Sequence, residues 1–381
     1  MIENMRVLIL AGEMSGDLHA ARLLRSMKKL RPGVEAWGFG GDALEAEGME
    51  VVEHTRDLSV MGLVEVLKQY GYFRRIFDAL EARVRKDPPD LILLVDYPGF
   101  NLRFAKAVRD LGIPTVQYIC PQVWAWKRGR IPKMARILDQ LICIFPFEPP
   151  LFEGTGLNAG YFGHPMVEET MRVEADPEWG EGPKLALLPG SRNQEVDRLF
   201  PPMVQAALRL KKETPSLQIR VAAATEALAE RMRGMLQALG IQEPMTLVVG
   251  KTRALVKGAD AALVTSGTAT LETALLGTPM LVVYKTSAMT YAIGKRLVKV
   301  KYIGMVNLIA GREVCPEFIQ HAATPEALAE AAGPLLRDTP QRRAMLEGLV
   351  AVREDLVPDE GGLAPVRAIF EGASFALAKE V

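Results

Sequence analysis

Residues 185–201 read LALLPGSRNQEVDRLFP. Leu185 to Leu188 are apolar without a break, the pattern of a short strand buried on both faces. Pro189 and Gly190 end it, and a helix is expected from about Glu195 to Glu213. A strand that stops in a small-residue loop and opens into a helix is the repeating half-unit of a parallel α/β sheet. The loop also carries chemistry. Gly190 lets the backbone approach a ligand closely, Ser191 offers a hydroxyl, and Arg192 is a forked cation able to hold two phosphate oxygens. The amides of the first helical turn add further donors for an anion. A tight turn with Ser191 as helix cap and a solvated Arg192 fits the same residues.

The same rhythm runs through the chain. In the first half, strands are expected at 6–11, 35–39, 90–95 (DLILLV), 114–119 and 140–145, with helices at 18–30 and 101–111. In the second half, strands are expected at 184–188, 217–222, 246–249, 261–264 and 280–284, and the tail from about 325 reads as helical. The fold class is α/β, with two doubly wound Rossmann-like domains facing each other across a cleft. The charged, strandless stretch 166–182 marks the boundary, giving domains 1–168 and 169–355 and a helical tail 356–381. Ligands of open α/β sheets bind at the carboxyl ends of the strands.

Composition sets bounds on function. Lys+Arg and Asp+Glu are both 46, so the formal net charge is zero. A wide basic footprint for nucleic acid is absent, and no nucleic-acid partner is expected. The three cysteines, Cys120, Cys143 and Cys315, are widely spaced in apolar surroundings. They form neither a disulfide framework nor a CxxC metal motif, which fits a reducing compartment. No apolar run reaches the roughly 18 residues of a membrane span. The apolar run Val7 to Ala11 is too short for a signal-peptide core.

Further stretches hold candidate site residues. Residues 262–284 read ALVTSGTATLETALLGTPMLVVY. Here Ser266, Gly267 and Thr268 are placed to present amides and hydroxyls to a diphosphate. Glu272, one turn into the helix, is placed to accept from ribose hydroxyls or to favour the helix dipole. The loop AGEMSGD (11–17) lacks the third glycine of a dinucleotide fingerprint, so NAD is not expected. In LLVDYPGFNLRFAK (93–106), Asp96 follows a buried strand, where partial desolvation suits a general base. A helix cap, or a pair with Arg103, is the alternative.

Two regions mix aromatic or apolar residues with cations. In 118–136, Trp124 and Trp126 stand beside Lys127, Arg128, Arg130, Lys133 and Arg136. That mixture suits RNA, a sugar phosphate or a membrane interface, or else tryptophans that plug a core. In 63–86, Val66, Tyr70, Phe73, Phe77, Leu80 and Val84 form a helical stripe, and Val64, Leu67, Tyr72 and Ile76 lie outside it. With Lys68, Arg74 and Arg75 interspersed, this segment reads as a membrane-docking helix or as a core helix with snorkelling cations. Residues 291–303 (YAIGKRLVKVKYI) are similar.

Motifs across nearly the whole chain resemble the lipid-A-disaccharide synthase family. They are AGEMSGD, GFGGDALEAEG (38–48), LSVMGLVEVL (58–67), VDYPGFNLR (95–103), CPQVWAWKRGR (120–130), PFEP (146–149), GHP (163–165), LLPGSR, SGTATLE and NLIAGREVCPE (307–317). Cys120 stands where the family pattern has serine. The resemblance implies a GT-B, family 19, inverting glycosyltransferase of lipid A biosynthesis that needs no metal and no cofactor. The implied donor is UDP-2,3-diacylglucosamine, and the acceptor is 2,3-diacylglucosamine 1-phosphate (lipid X). The products are the β-1,6-linked disaccharide 1-phosphate and UDP. The implied location is peripheral, on the cytoplasmic face of the inner membrane and its anionic phospholipid. A homodimer is left open.

By the resemblance, Asp96 and Arg192 fall at the family's activity-critical acid and arginine. The expected UDP contacts are Gly190, Ser191, Arg192, Ser266, Gly267, Thr268, Glu272, Asn307 and Glu313. Arg128 and Arg130 are expected at the acceptor phosphate. Val64, Leu67, Tyr72, Phe73, Ile76 and Phe77 are expected at the membrane. No Asp-x-Asp metal–nucleotide motif occurs. The competing readings are another GT-B-like UDP-sugar enzyme, such as a UDP-N-acetylglucosamine epimerase, and a non-catalytic UDP-binding membrane protein.

Overall fold

The computed structural model describes residues 4–58, 70–242, 245–297, 300–358 and 362–378. The chain divides into two units, Met1–Pro165 with Pro358–Val381, and Met166–Val357.

Unit 1 holds seven strands: β1 (Met5–Ala11), β2 (Val34–Gly40), β3 (Glu50–His54), β4 (Leu91–Val95), β5 (Thr115–Tyr118), β6 (Gln140–Cys143) and β7 (Asn158–Tyr161). Their order is β3-β2-β1-β4-β5-β6-β7, and every pairing is parallel. The first six strands follow the doubly wound order, with the topological switch between β1 and β4. Alternate side chains serve opposite faces. Val7, Ile9, Leu91 and Leu93 pack one way, against the helix Met14–Leu30. Leu8, Leu10, Ile92 and Leu94 pack the other way, with Phe100 and Phe104 of the helix Pro98–Ala107. Both faces are covered, which is why DLILLV reads as an unbroken apolar run.

The tail 356–381, expected as a separate piece, falls in unit 1 from Pro358 onward. Its helix Ala364–Ala378 puts Val366, Ile369, Phe370 and Ala373 into the core beside Ala20, Leu24 and Met27. The fit is close. Gln140 Nε2 donates to the Ala368 carbonyl at 3.0 Å, and a Cβ on Gly372 would lie 2.2 Å from Gln140 Oε1.

The membrane-docking reading of the helix Tyr70–Lys86 needs correction. Ile76 is buried in the core with Leu58 and Leu80. The Phe77 ring meets Phe100 at 5.4 Å and Phe104 at 5.8 Å. Tyr72 and Phe73 are half-buried against the same cluster, and the Tyr72 hydroxyl donates to Glu53 at 2.7 Å. The residues outside the simple stripe belong to the core as well, because the cluster with Leu58, Phe100 and Phe104 takes in more of the helix than that stripe. Exposure falls instead on Arg74, Arg75 and Asp78. Val64 and Leu67 lie outside the described residues.

Unit 2 holds six strands: β8 (Lys184–Leu188), β9 (Gln218–Ala223), β10 (Thr246–Val249), β11 (Ala261–Thr265), β12 (Met280–Tyr284) and β13 (Glu317–Ile319). Their order is β10-β9-β8-β11-β12-β13, again parallel throughout. The switch point lies between β8 and β11, the two strands that lead into PGSR and SGTAT.

Candidate active site

In unit 1 the site residue is Asp96, the first residue beyond β4. Asp96 and Tyr97 both adopt left-handed backbone, with φ of 49° and 44°. Two successive non-glycine residues there carry strain that the surroundings must hold. Two buried amides do so. Asn101 Nδ2 donates to the Asp96 carbonyl at 2.8 Å, and Gln117 Nε2 donates to the same oxygen at 3.1 Å. Pro98 opens the helix that carries Asn101. Gly12 leaves room for the Tyr97 ring, since a Cβ would lie 2.4 Å from it.

Burial raises the Asp96 carboxyl above its ordinary range, against a smaller pull from the Tyr97 amide. Partial burial, and then the Asp96 charge, also raises Glu13. Among the described contacts Asp96 makes no ion pair with Arg103, so the carboxyl is available for proton transfer. Asp17 of AGEMSGD is structural. It is buried and accepts from the amides of Gly41, Ala43 and Leu44 at 2.7–3.2 Å.

In unit 2 the PGSR loop differs from the expectation. Gly190 does have the φ of +121° that a side chain would oppose, with a Cβ falling 2.6 Å from Glu195 Cβ. Arg192, not Ser191, is the N-cap of the helix Asn193–Glu213. The amides of Ser191 and Arg192 donate to Glu195 Oε2 at 3.0 and 3.3 Å, so they hold an internal carboxylate rather than standing open for phosphate. Arg192 Nη1 donates to Glu195 Oε1 at 3.1 Å, while the Arg192 side chain stays 76% exposed. Glu195 was missed in the sequence, although a glutamate three residues past the cap is a capping-box signal.

The SGTAT loop also divides. Ser266 spends both its donors inside the unit, its amide on the Val283 carbonyl and its hydroxyl on Ile303 O, each at 3.0 Å. Gly267 and Thr268 are exposed at the N-terminus of the helix Thr268–Leu275, whose first amides have no intrahelical acceptor. Glu272 receives Arg253 Nε and Nη2 on one oxygen, Oε1, at 2.9 and 2.6 Å. Arg253 also pairs with Glu169 at 2.8 Å.

Asn307 is not a ligand contact. It is fully buried, and all its hydrogen-bonding capacity is used. Its Oδ1 accepts from the amides of Val314 and Cys315 at 2.7 and 2.9 Å. Its Nδ2 donates to Cys315 O at 2.7 Å and to Glu317 Oε1 at 2.9 Å. Glu317, which the sequence did not single out, also accepts from the amides of Ile303 and Gly304, each at 2.9 Å at its shortest. Asn307, Glu317, residue 303 and Ser266 thus form one brace behind the SGTAT loop. Glu313 is exposed next to that brace.

Arg128 and Arg130 lie in a short 3-10 turn, the first exposed and the second half-exposed. Trp124 packs edge-on to Phe147 at 5.4 Å, whereas Trp126 is exposed with Lys127 Nζ 3.9 Å over its ring.

A sequence profile of the lipid-A-disaccharide synthetase family matches residues 7–354. The lipid-A-disaccharide synthase of Anaeromyxobacter sp. (strain K) is 42% identical over 357 residues, covering 92% of this chain and 93% of that one. The lipid-A-disaccharide synthase of Syntrophus aciditrophicus is 40% identical over 373 residues, covering 95% and 97%. Among solved structures, a UDP-GlcNAc 2-epimerase from Neisseria meningitidis superposes with a TM-score of 0.62 at 11% identity, covering 97% of this chain and 99% of that one. A glycosyltransferase from Rickettsia africae does so with a TM-score of 0.57 at 11% identity, covering 99% of each. These structural likenesses bear on the fold alone.

Two sheets of parallel strands, each Rossmann-like, make the GT-B fold that the chain shares with solved glycosyltransferases and UDP-sugar epimerases. The chain belongs to the lipid-A-disaccharide synthetase family, and it is an enzyme of lipid A disaccharide synthesis.

Proposed function

We propose that the chain transfers 2,3-diacylglucosamine from UDP to the 6-hydroxyl of 2,3-diacylglucosamine 1-phosphate. The observation that carries this reading is Asp96. It is a desolvated carboxyl with a raised pKa and no ion pair among the described residues, on backbone pinned by two buried amides. Such a group takes a proton from an alcohol more readily than an ordinary surface carboxylate does. The 6-oxygen then attacks the anomeric carbon on the face opposite the nucleotide. The bond from that carbon to the phosphate oxygen breaks, its electrons leave with UDP, and the configuration inverts to β. The proton rests on Asp96.

The charge that grows on UDP needs donors that do not have to reorganise. Arg192 and the helix N-terminus at Gly267–Thr268 are the candidates, and Glu272 is the candidate for the ribose. Ser266 acts by bracing that turn. Arg128 and Arg130 are the candidates for the acceptor phosphate. Both substrates are diacylated, so the enzyme is inferred to work at an anionic membrane surface, on the cytoplasmic face of the inner membrane. Among the described residues no helix is long and apolar enough to cross a membrane, and the exposed Trp126 with Lys127 beside it suits surface contact.

The test supplies purified protein with UDP-2,3-diacylglucosamine in mixed micelles, with and without lipid X, and follows UDP and disaccharide by mass spectrometry. Disaccharide that depends on lipid X supports the reading. Conversion of the UDP-sugar without acceptor would support an epimerase-type reaction, and UDP binding without any product a non-catalytic role.

A further inference from the structure

Cys120, Cys143 and Glu148 converge in unit 1, beyond the ends of β5 and β6. All three are buried, and their ligand atoms lie within 4.8 Å of one another. The topology brings them together. Cys143 ends β6, Cys120 lies two residues past the end of the neighbouring β5, and Glu148 returns from the turn after β6. Backbone amides hold one oxygen of Glu148, and the Trp124 indole and the Cys120 thiol also interact with the carboxylate. Its Oε2 accepts from the amides of Ile144 and Phe145 at 3.2 and 3.1 Å, which leaves Oε1 for the cluster. The Cys120 thiol finds a weak acceptor, the Pro121 carbonyl at 3.3 Å. The Trp124 indole N–H is buried and directed at the Glu148 carboxylate.

We propose that Cys120, Cys143 and Glu148 form a buried site for one soft divalent cation of the Zn²⁺ type, with the Pro121 carbonyl oxygen beside the fourth position. Two thiolates and a carboxylate are a donor set that zinc takes readily. Two zinc–sulfur bonds of about 2.3 Å at a tetrahedral angle put the sulfurs about 3.8 Å apart, inside the 4.8 Å within which the ligand atoms already lie. Zn²⁺ enters as protons leave for solvent: the two thiol protons, and the carboxyl proton where Glu148 carries one. The bound ion would tie the ends of β5 and β6 to the turn at 144–148, beneath the CPQVWAW loop. Cys315, buried in unit 2, takes no part.

The test uses the full chain, purified once from zinc-supplemented cells and once after chelation and incubation with Co²⁺ alone. One equivalent of zinc by native mass spectrometry, a thiolate-to-cobalt charge-transfer band, and a melting temperature that rises with metal are expected. Cys120→Ser keeps the volume and should fold. It should weaken retention by more than about tenfold, the least that losing support for a metal ligand costs. Glu148→Gln should do the same, and Cys315→Ala should leave binding intact. Wild-type protein that holds no stoichiometric metal by either route would overturn the site. So would Cys120→Ser and Glu148→Gln proteins that are folded by circular dichroism and bind cobalt as the wild type does.

Discussion

Asn307→Ala separates a brace from a ligand contact. The substitution strands two buried amides, those of Val314 and Cys315, which now sit 2.7 and 2.9 Å from Oδ1. An unsatisfied buried amide costs about 1–3 kcal/mol, so the pair costs about 2–6 kcal/mol. The lost donors to Cys315 O and Glu317 add to that. Against the roughly 5–15 kcal/mol that holds a domain together, this is a large share. For a unit the size of Met166–Val357, each kcal/mol moves the midpoint by about 2–4 °C, so a fall of at least about 4 °C is expected. Differential scanning calorimetry on the full chain measures it. Isothermal titration with UDP, well below the midpoint, gives the second readout: affinity falls only as far as the SGTAT loop loosens. If the variant melts like the wild type but has lost UDP binding outright, the brace reading is wrong and Asn307 touches the nucleotide.

Five further outcomes are expected. Asp96→Asn should reduce turnover by about 10²-fold or more while UDP affinity holds. The raised Asp96 carboxyl is a base only when ionised, so kcat/KM should fall on acidification through a limb above the ordinary carboxylate range, near pH 4. Because the folded state binds that proton more tightly than the unfolded state, its ionisation lowers stability as pH rises; Asp96→Asn should therefore melt no lower than wild type at pH 7. Arg192→Ala should weaken UDP binding or transfer in a radiolabelled assay, whereas Glu195→Gln, which keeps an acceptor for the Ser191 amide, should have a smaller effect. Ile76→Glu buries a charge and should unfold unit 1, visible as lost near-ultraviolet circular dichroism, before any change in vesicle sedimentation can be ascribed to docking.

The α/β fold was legible because parallel strands covered on both faces leave unbroken apolar runs, as in LILLV and LALL. Asp96 and Arg192 stand out as candidates because each sits where such a run breaks into Pro and Gly. What sequence could not give was direction. Ser266, Asn307 and Glu195 have the chemistry of phosphate or sugar contacts, but each spends it on backbone brought near by the fold: Ile303 from 37 residues away, Val314 and Cys315, and the PGSR amides. Glu317 went unnoticed for the converse reason, since its partners are amides, which leave no trace in residue identity. Tyr72 and Ile76 misled because a helical wheel assumes a flat neighbour. Here the core reaches further round the helix, through Leu58, Phe100 and Phe104.

The return of residues 364–378 to the first sheet makes unit 2 an insertion, and that has a consequence for biosynthesis. A ribosome finishes all seven strands of unit 1 and then the whole of unit 2 before it reaches Val366, Ile369 and Phe370. Until then the groove along Ala20, Leu24 and Met27 is unfilled, and unit 1 must wait with an apolar flank exposed to chaperones or to other nascent chains. Unit 2 has no such debt and can close as soon as its own residues have emerged. A stop codon that costs only the last two dozen residues would therefore damage the first-made half of the enzyme, not the half it adjoins in the message.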